Sequence, residues 1–296
     1  ECYFLIADYQ VSDYADDMAR GHASVWEVAL DFLAVGLDPA KSHYVIESLV
    51  PEHAELTTWL SWFLPVSMLE RNPTLKAEMK AFGSKSVPVA FYTYPVMQVA
   101  NILMPRAHLV PVGEDQLPHI ELTREVARRF NRQFKEVFPE PEGLVGRIPR
   151  LVGTDGEAKM SKSLNNAIYL GDDAETVTKK VRSMFTPRMS PTEPGDPDKT
   201  PAFMYHDAFN PDTNEVADLK ERYRAGTVGD AEVKAKLAVA LNGFLEPIRD
   251  RRAHYAGNMG LVREALEAGT KRARAAAGET MAMVRDALGL NYLEEY

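Results

Sequence analysis

Three segments carry side chains whose types and spacing could do chemistry. The first is Lys159-Met160-Ser161-Lys162-Ser163, set between Gly153 and Asn166. Two lysines three residues apart offer point charges, and two serines offer small hydrogen-bonding groups. With Gly153 and Gly156 nearby, the stretch reads as a flexible loop. Such a loop could close over a polyphosphate and neutralise charge developing in a transition state; a solvated basic loop fits the same residues. The second segment is Val110-Pro-Val-Gly-Glu-Asp-Gln116, followed by Leu-Pro-His-Ile-Glu-Leu-Thr-Arg124. An apolar run ends at Val112, Gly113 turns the chain, and a helix starts near Gln116. This is the carboxyl edge of a parallel strand, where open α/β sheets bind ligands. Gly113 would let a ligand approach the backbone, Glu114 stands beside it, and Asp115 suits a helix N-cap. Gln116 can both donate and accept. A capped helix after a tight turn is the plainer account. His119 reads first as helix packing or as a hydrogen-bond partner. The third segment, Phe91 to Leu103, places Tyr94, Gln98 and Asn101 roughly on one face of an otherwise apolar helix. Inward-facing polar groups must meet a ligand or one another.

The elements that would position these groups alternate in the first half. Cys2 to Ala7 reads as a buried strand. A helical spacing of Val25, Val28, Ala29, Phe32 and Leu33 follows, ended by Gly36. Tyr44 to Ile46 is a short strand candidate, and Pro51 opens a helix with Glu52 and Glu55 in its first turn. Leu109 to Val112 is a strand, and a long amphipathic helix runs from Gln116 to about Phe134. Strand alternating with helix implies a parallel sheet with crossovers. Beyond a Pro- and Gly-rich loop at Ser190 to Thr200, three helical patterns follow: Glu215–Ala225, Asp230–Arg252 and Leu261–Leu288. The expected architecture is α/β: a Rossmann-like parallel-sheet domain over residues 1–180, then an all-helical domain over residues 181–296.

Composition narrows the function. The chain has 296 residues, net charge −9 and 45% hydrophobic residues, which is ordinary globular make-up. The acidic balance argues against general nucleic-acid binding but leaves room for one partner held by a local basic patch. The single cysteine, Cys2, argues against a disulfide scaffold and a cysteine-rich zinc site, and fits a reducing compartment. Val87 to Met104 is interrupted by Thr93, Pro95, Gln98 and Asn101, so no membrane span is expected. Gly-x-Gly-x-x-Gly, Walker, His-Glu-x-x-His and Gly-x-Ser-x-Gly patterns do not occur, and no two histidines make a convincing metal pair, so no metal-ligating residues are assigned.

Lys159-Met-Ser-Lys-Ser163 is the signature of the class I aminoacyl-tRNA synthetases. Together with Cys2-Tyr-Phe-Leu-Ile-Ala-Asp8, Ala34-Val-Gly-Leu-Asp-Pro39, Val50-Pro-Glu-His-Ala54, Val112-Gly-Glu-Asp-Gln116 and Tyr205-His-Asp-Ala-Phe209, it makes nearly the whole chain resemble the bacterial type of tryptophanyl-tRNA synthetase. The resemblance implies a tryptophan–tRNA ligase, cytoplasmic and homodimeric. Such an enzyme joins L-tryptophan to ATP, with Mg²⁺ assisting, and passes it from the adenylate to tRNA(Trp). It implies that Lys159 and Lys162 stabilise the leaving pyrophosphate. ATP would meet Gly113, Glu114, Asp115, Ile148, Lys159, Met160, Ser161, Lys162 and Ser163. Tyr94 and Gln116 would hold the tryptophan amino group, with Gln98 and Asn101 facing the indole. The helices after residue 180 would read the anticodon, with basic clusters at Arg249, Arg251 and Arg252 and at Lys271, Arg272 and Arg274. Trp59, Trp62, Phe63 and Leu64 fit either the dimer interface or a core helix.

Two features depart from the family. Its His-x-Gly-His signature normally lies upstream of the Cys-Tyr-Phe strand, so a segment before Glu1 is expected. Asn101 stands where bacterial relatives usually carry aspartate to accept the indole N–H. The Asn101 amide oxygen can serve, at about 1 kcal/mol net against about 1.5–3 for a charged acceptor. A paralogue that binds tryptophan or a partner without charging tRNA, and a tyrosine-specific relative, are the alternatives.

Overall fold

The computed structural model describes all residues except 11–16, 83–86, 147, 149–150, 157–159, 161–163 and 294–296. Two parallel strand pairs organise the α/β part. β1 (Cys2–Ile6) runs beside β2 (Ser42–Ile46), with Cys2 against Ser42 and Ile6 against Ile46. The connection contains α1 (Met18–Ala34), as a parallel pair requires a crossover. β3 (Leu109–Val112) pairs with β4 (Glu142–Val145), with α6 (Leu117–Gln133) between them in sequence. Between the pairs lie α2 (Glu52–Ser61), α3 (Val66–Arg71), α4 (Pro73–Phe82) and α5 (Val89–Leu103). Then follow α7 (Ala174–Arg182), α8 (Pro201–Phe209), α9 (Thr213–Arg224), α10 (Asp230–Ala256) and α11 (Met259–Leu288). The α/β reading with a helical C-terminal part holds. Gly36 ends α1 as expected, in the left-handed region at φ 94°. Among the described residues no helix is long and apolar enough to cross a membrane.

The chain forms two compact units. One comprises residues 1–33, 37–147 and 258–296; the other comprises residues 34–36 and 148–257. This division does not follow the expected split at residue 180, because α11 packs on β2 rather than with the helices that precede it. The first unit buries Val45, Leu56, Leu60, Val96, Val99, Leu103, Val126 and Phe130 together with Ala277 and Met281 of α11. Polar contacts fix the same docking. The Thr280 hydroxyl donates to the Met104 carbonyl at 2.8 Å, and Arg285 donates through Nε to Glu55 at 2.9 Å.

Gly269 is where α11 meets the strand most closely. A Cβ there would lie 2.3 Å from the Tyr44 carbonyl oxygen and 2.4 Å from its nitrogen. Backbone atoms cannot swing aside, so Gly269→Ala is expected to push α11 off β2 and cost about 1–3 kcal/mol. Urea denaturation of the full-length protein checks this; an unchanged midpoint would contradict the packing.

The second unit has its own core: Val177, Val181, Phe203, Tyr205, Leu219, Tyr223, Leu237, Leu241 and Leu245, drawn from α7 to α10. Buried His206 is satisfied on both nitrogens, by the Val233 carbonyl and by Asn210, each at 3.0 Å. Of the apolar group at the end of α2, Leu64 is buried, Trp59 and Phe63 pack against the core of the first unit, and Trp62 is 78% exposed.

Candidate active site

In the first unit α4, α5 and α6, with Asn72 just before α4, carry a relay that runs from buried Asn72 and His119 out to exposed Glu78. The Asn72 side-chain N–H2 lies 3.3 Å from His119 Nδ1, and His119 Nε2 lies 3.2 Å from the Tyr94 hydroxyl. Tyr94 donates to Glu78 Oε2 at 2.7 Å. The donors fix the protons. An amide N–H2 only donates, so Nδ1 accepts and Nε2 carries the hydrogen that goes to the Tyr94 oxygen. His119 is 1% exposed, and burial lowers its pKa, which keeps it neutral. Burial and then the Glu78 carboxylate push the Tyr94 phenol well above its usual range. Asn72 Oδ1 also accepts from the N–H groups of Thr74 and Leu75 at the start of α4, so one side chain caps a helix and orients the histidine. The expectation for His119, a hydrogen-bond partner inside the helix packing, is met.

A second chain runs along the edge of β3. Gln98 donates to Gln116 Oε1 at 3.2 Å, and Gln116 Nε2 donates to Asp115 Oδ2 at 3.3 Å. One local expectation needs correction. Asp115 is not the N-cap of α6. A 3-10 turn at Glu114–Gln116 is inserted before the helix, which puts Gln116 at the cap position without a side-chain cap bond. The Asp115 carbonyl instead accepts from the Thr74 hydroxyl at 3.0 Å. Gly113 opens the turn as expected: its carbonyl accepts from the Gln116 N–H at 3.0 Å, while its own backbone is extended, at φ −73° and ψ 159°, and it is exposed, as are Glu114 and Asp115.

Asn101 has different neighbours. Its side chain faces Glu47, in the 3-10 turn Glu47–Leu49 after β2, and His53 on α2. Neither contact closes to hydrogen-bond geometry: both Glu47 carboxyl oxygens, His53 Nδ1 and Asn101 Oδ1 are buried without a partner. Burial pushes the Glu47 carboxyl up to about 7, helped by nearby Asp8, and lowers His53 to about 4. The polar stripe of α5 is therefore split. Tyr94 and Gln98 are satisfied by other elements, and the Asn101 acceptor is not. Sequence reading missed Asn72, Glu78 and Glu47. Asn72-Pro73 is a legible helix-start signal, whereas nothing local marks Glu78 or Glu47.

Ile148 and Met160 lie in the second unit, each half-buried, and Met160 packs against that unit's core. Lys159, Ser161, Lys162 and Ser163 lie outside the described residues. The described stem is more tightly held than a flexible loop. The Gly156 N–H donates to the Gly153 carbonyl at 3.0 Å, and Phe185 N–H donates to the Thr154 carbonyl at 2.8 Å. Gly153 is packed on Asn166, where a Cβ would come within 2.1 Å of its Nδ2, and Gly156 sits at φ 79°. These glycines permit close approach rather than freedom. Among the arginines expected to meet phosphates, Arg251 donates to the Ala34 carbonyl at 2.6 Å, Arg249 donates to the Asp172 carbonyl at 3.2 Å, and Arg272 pairs with Glu1 at 2.5 Å. Lys271 and Arg274 are exposed.

The family described as "tRNA synthetases class I (W and Y)" matches residues 1–246. The tryptophan–tRNA ligase of Treponema pallidum (strain Nichols) is 50% identical over 98% of this chain and 88% of its own length. That of Streptococcus pneumoniae serotype 4 is 45% identical over 99% of this chain and 89% of its own. The crystal structure of tryptophanyl-tRNA synthetase from Campylobacter jejuni complexed with ADP and tryptophan superposes with a TM-score of 0.80 at 31% identity. It covers 96% of this chain and 88% of the other.

Proposed function

The chain belongs to the class I tRNA synthetases of tryptophan and tyrosine, and we propose how its residues divide the work of that chemistry. It activates L-tryptophan with ATP to tryptophanyl-adenylate and transfers it to tRNA(Trp). The tryptophan carboxylate attacks the α-phosphate, pyrophosphate leaves, and no covalent nucleophile is needed; positioning and charge stabilisation suffice. Tyr94 and Gln116 hold the amino group. The Tyr94 oxygen takes one hydrogen from His119 and has a second lone pair, and Gln116 Oε1 is likewise only half used by Gln98. Gln98 and Asn101 face the indole. Gly113, Glu114 and Asp115 lie against the ribose, Ile148 meets the adenine through its backbone, and Lys159 to Ser163 close over the phosphates. Mg²⁺, when bound with ATP, would supply positive charge to the departing pyrophosphate. The enzyme works in the cytoplasm as a homodimer, to which exposed Trp62 is available, and the helices after residue 180 meet the tRNA. Exposed Lys271 and Arg274 suit phosphate contacts.

One observation supports the indole assignment above the others: on a helix whose other polar groups are paired, the Asn101 Oδ1 is a buried acceptor to which no donor closes, His53 beside it included. The indole N–H is a donor only. Asn101→Ala is expected to raise the tryptophan KM in ATP–pyrophosphate exchange by about five- to tenfold, the worth of one neutral hydrogen bond. An unchanged KM removes Asn101 from the pocket.

A further inference from the structure

Glu47 is fully buried at the carboxyl end of β2, where the backbone leaves the sheet through a 3-10 turn. Neither of its oxygens has a hydrogen-bond partner. His53 Nδ1 and Asn101 Oδ1 beside it, and Glu52 Oε2, are buried and unpaired too. Other buried polar groups in the same unit have partners, among them His119 with Asn72 and Tyr94, Thr123 with the His119 carbonyl and Thr280 with the Met104 carbonyl; Arg124 Nε is the exception away from Glu47 among the described residues. Native proteins rarely leave several such groups open together, so this opening has a cause.

The group is lopsided in its chemistry. Above about pH 7, where Glu47 is ionised, its oxygens only accept, as do Glu52 Oε2 and Asn101 Oδ1. The donors beside them are the Asn101 N–H2 and one ring N–H of a neutral His53. Asp8 does not relieve Glu47, since its carboxylate accepts from Ser48 N–H at 2.8 Å and from the Ser48 hydroxyl. The Tyr9 N–H faces Glu47 without closing to hydrogen-bond geometry. A carboxamide has a donating end and an accepting end, so turning one toward Glu47 fixes the other.

We propose that Glu47 is a specificity-determining residue: it draws the Asn101 N–H2 to itself and so presents Oδ1, and not the N–H2, to the ring N–H of bound tryptophan. The inference rests on Asn101 facing the indole. With Glu47 absent, the carboxamide is free to flip and set its own N–H2 against the ring N–H. A carboxylate at position 101 would accept from either end and need no such orientation. Beside Glu47, however, it would force two buried carboxyl groups together.

The test is ATP–pyrophosphate exchange on the full-length protein, with tryptophan and with its benzothiophene analogue, in which sulfur replaces the ring N–H. Wild type is expected to prefer tryptophan in kcat/KM. Glu47→Gln, which donates as readily as it accepts, should cut that preference about tenfold, through the tryptophan KM and with the analogue's KM unmoved. Asn101→Asp alone should weaken tryptophan further. Combining Glu47→Gln with Asn101→Asp should restore the preference to within about threefold of wild type, and this rescue also supports the proposal where Glu47→Gln alone folds poorly. If Glu47→Gln keeps the preference while Asn101→Ala abolishes it, Glu47 is idle and the pocket assignment stands. If Asn101→Ala also keeps it, the assignment fails and the proposal with it. A loss from Glu47→Gln that is equal for both amino acids and unrescued by Asn101→Asp marks a merely structural role and overturns the proposal.

Discussion

Replacing Lys162 by alanine is expected to slow tryptophan-dependent ATP–pyrophosphate exchange by about 10²–10³-fold, the usual cost of removing one preorganised group from developing charge. When the carboxylate displaces pyrophosphate, negative charge accumulates on the leaving oxygens. An ammonium aimed at them is worth more in that state than in the bound ground state. The loss should therefore fall mainly on kcat, with the ATP KM changing by less than about fivefold. Lys159→Ala should behave similarly. The double substitution should cost less than the product of the two, because both lysines act on one leaving group. Lys162→Arg keeps the charge but replaces a compact ammonium by a planar fork, and partial activity is expected. Exchange that drops less than about threefold in Lys162→Ala would deny the segment its catalytic role and return it to a solvated basic loop. Wild-type protein that gives no exchange with tryptophan would favour a relative that binds without activating.

Much of the scaffold was legible from apolar runs and periodicity, although the strand at Cys2–Ile6, expected to be buried, is buried only at Ile6, with Cys2 exposed. Cys2–Ile6 and Leu109–Val112 are short apolar runs bounded by turn residues, and the spacing of Val25 to Leu33 exposes one apolar face. β4 escaped notice because Glu142-Gly-Leu-Val is short and holds a glycine, and a parallel strand carries no distinctive alternation. The misplacement of α11 has a different origin. A helical pattern says that a face will be buried and nothing about against what, and Gly269 announces its approach to Tyr44 only in three dimensions. At the site, the type of residue was informative where its environment was unusual: three polar side chains on an apolar helix point inward whatever the fold. Which of them lacks a partner depends on Glu47, Glu78 and His119, which come from distant parts of the chain. Asp115 shows the limit of local rules, since one inserted 3-10 turn moves the cap by a residue.

Arg188→Ala is expected to destabilise the second unit by about 3–5 kcal/mol, the cost of leaving one half of a buried pair alone. The Arg188 side chain is 3% exposed, and each of its three guanidinium nitrogens donates a hydrogen bond. Nε donates to Asp230 Oδ2 at 2.7 Å, one terminal nitrogen to the Glu193 carbonyl at 2.9 Å, and the other to the Val228 carbonyl at 2.6 Å. Its Cζ lies 3.9 Å from the centre of the Tyr223 ring, whose hydroxyl donates to the other Asp230 oxygen at 2.9 Å. Removing the arginine takes the charged partner from Asp230, 19% exposed and left with the Tyr223 hydroxyl, and the donors from two carbonyls at once. Arg188→Lys should recover only part of the loss, because an ammonium cannot serve three acceptors in this fork and stack on a ring. Pairing Arg188→Met with Asp230→Asn should cost less than Arg188→Ala, since no charge is then left buried. Urea denaturation of the full-length protein, followed through a probe in residues 148–257, distinguishes these cases; a loss below about 1 kcal/mol in Arg188→Ala would show the pair to be incidental. The consequence reaches the segment proposed to bind phosphate through the chain itself. Phe185, three residues before Arg188, donates to the Thr154 carbonyl in the glycine-bracketed stem and packs against Gly156. Loosening Arg188 should therefore raise the ATP KM at temperatures where the fold still holds, leaving the tryptophan KM in place.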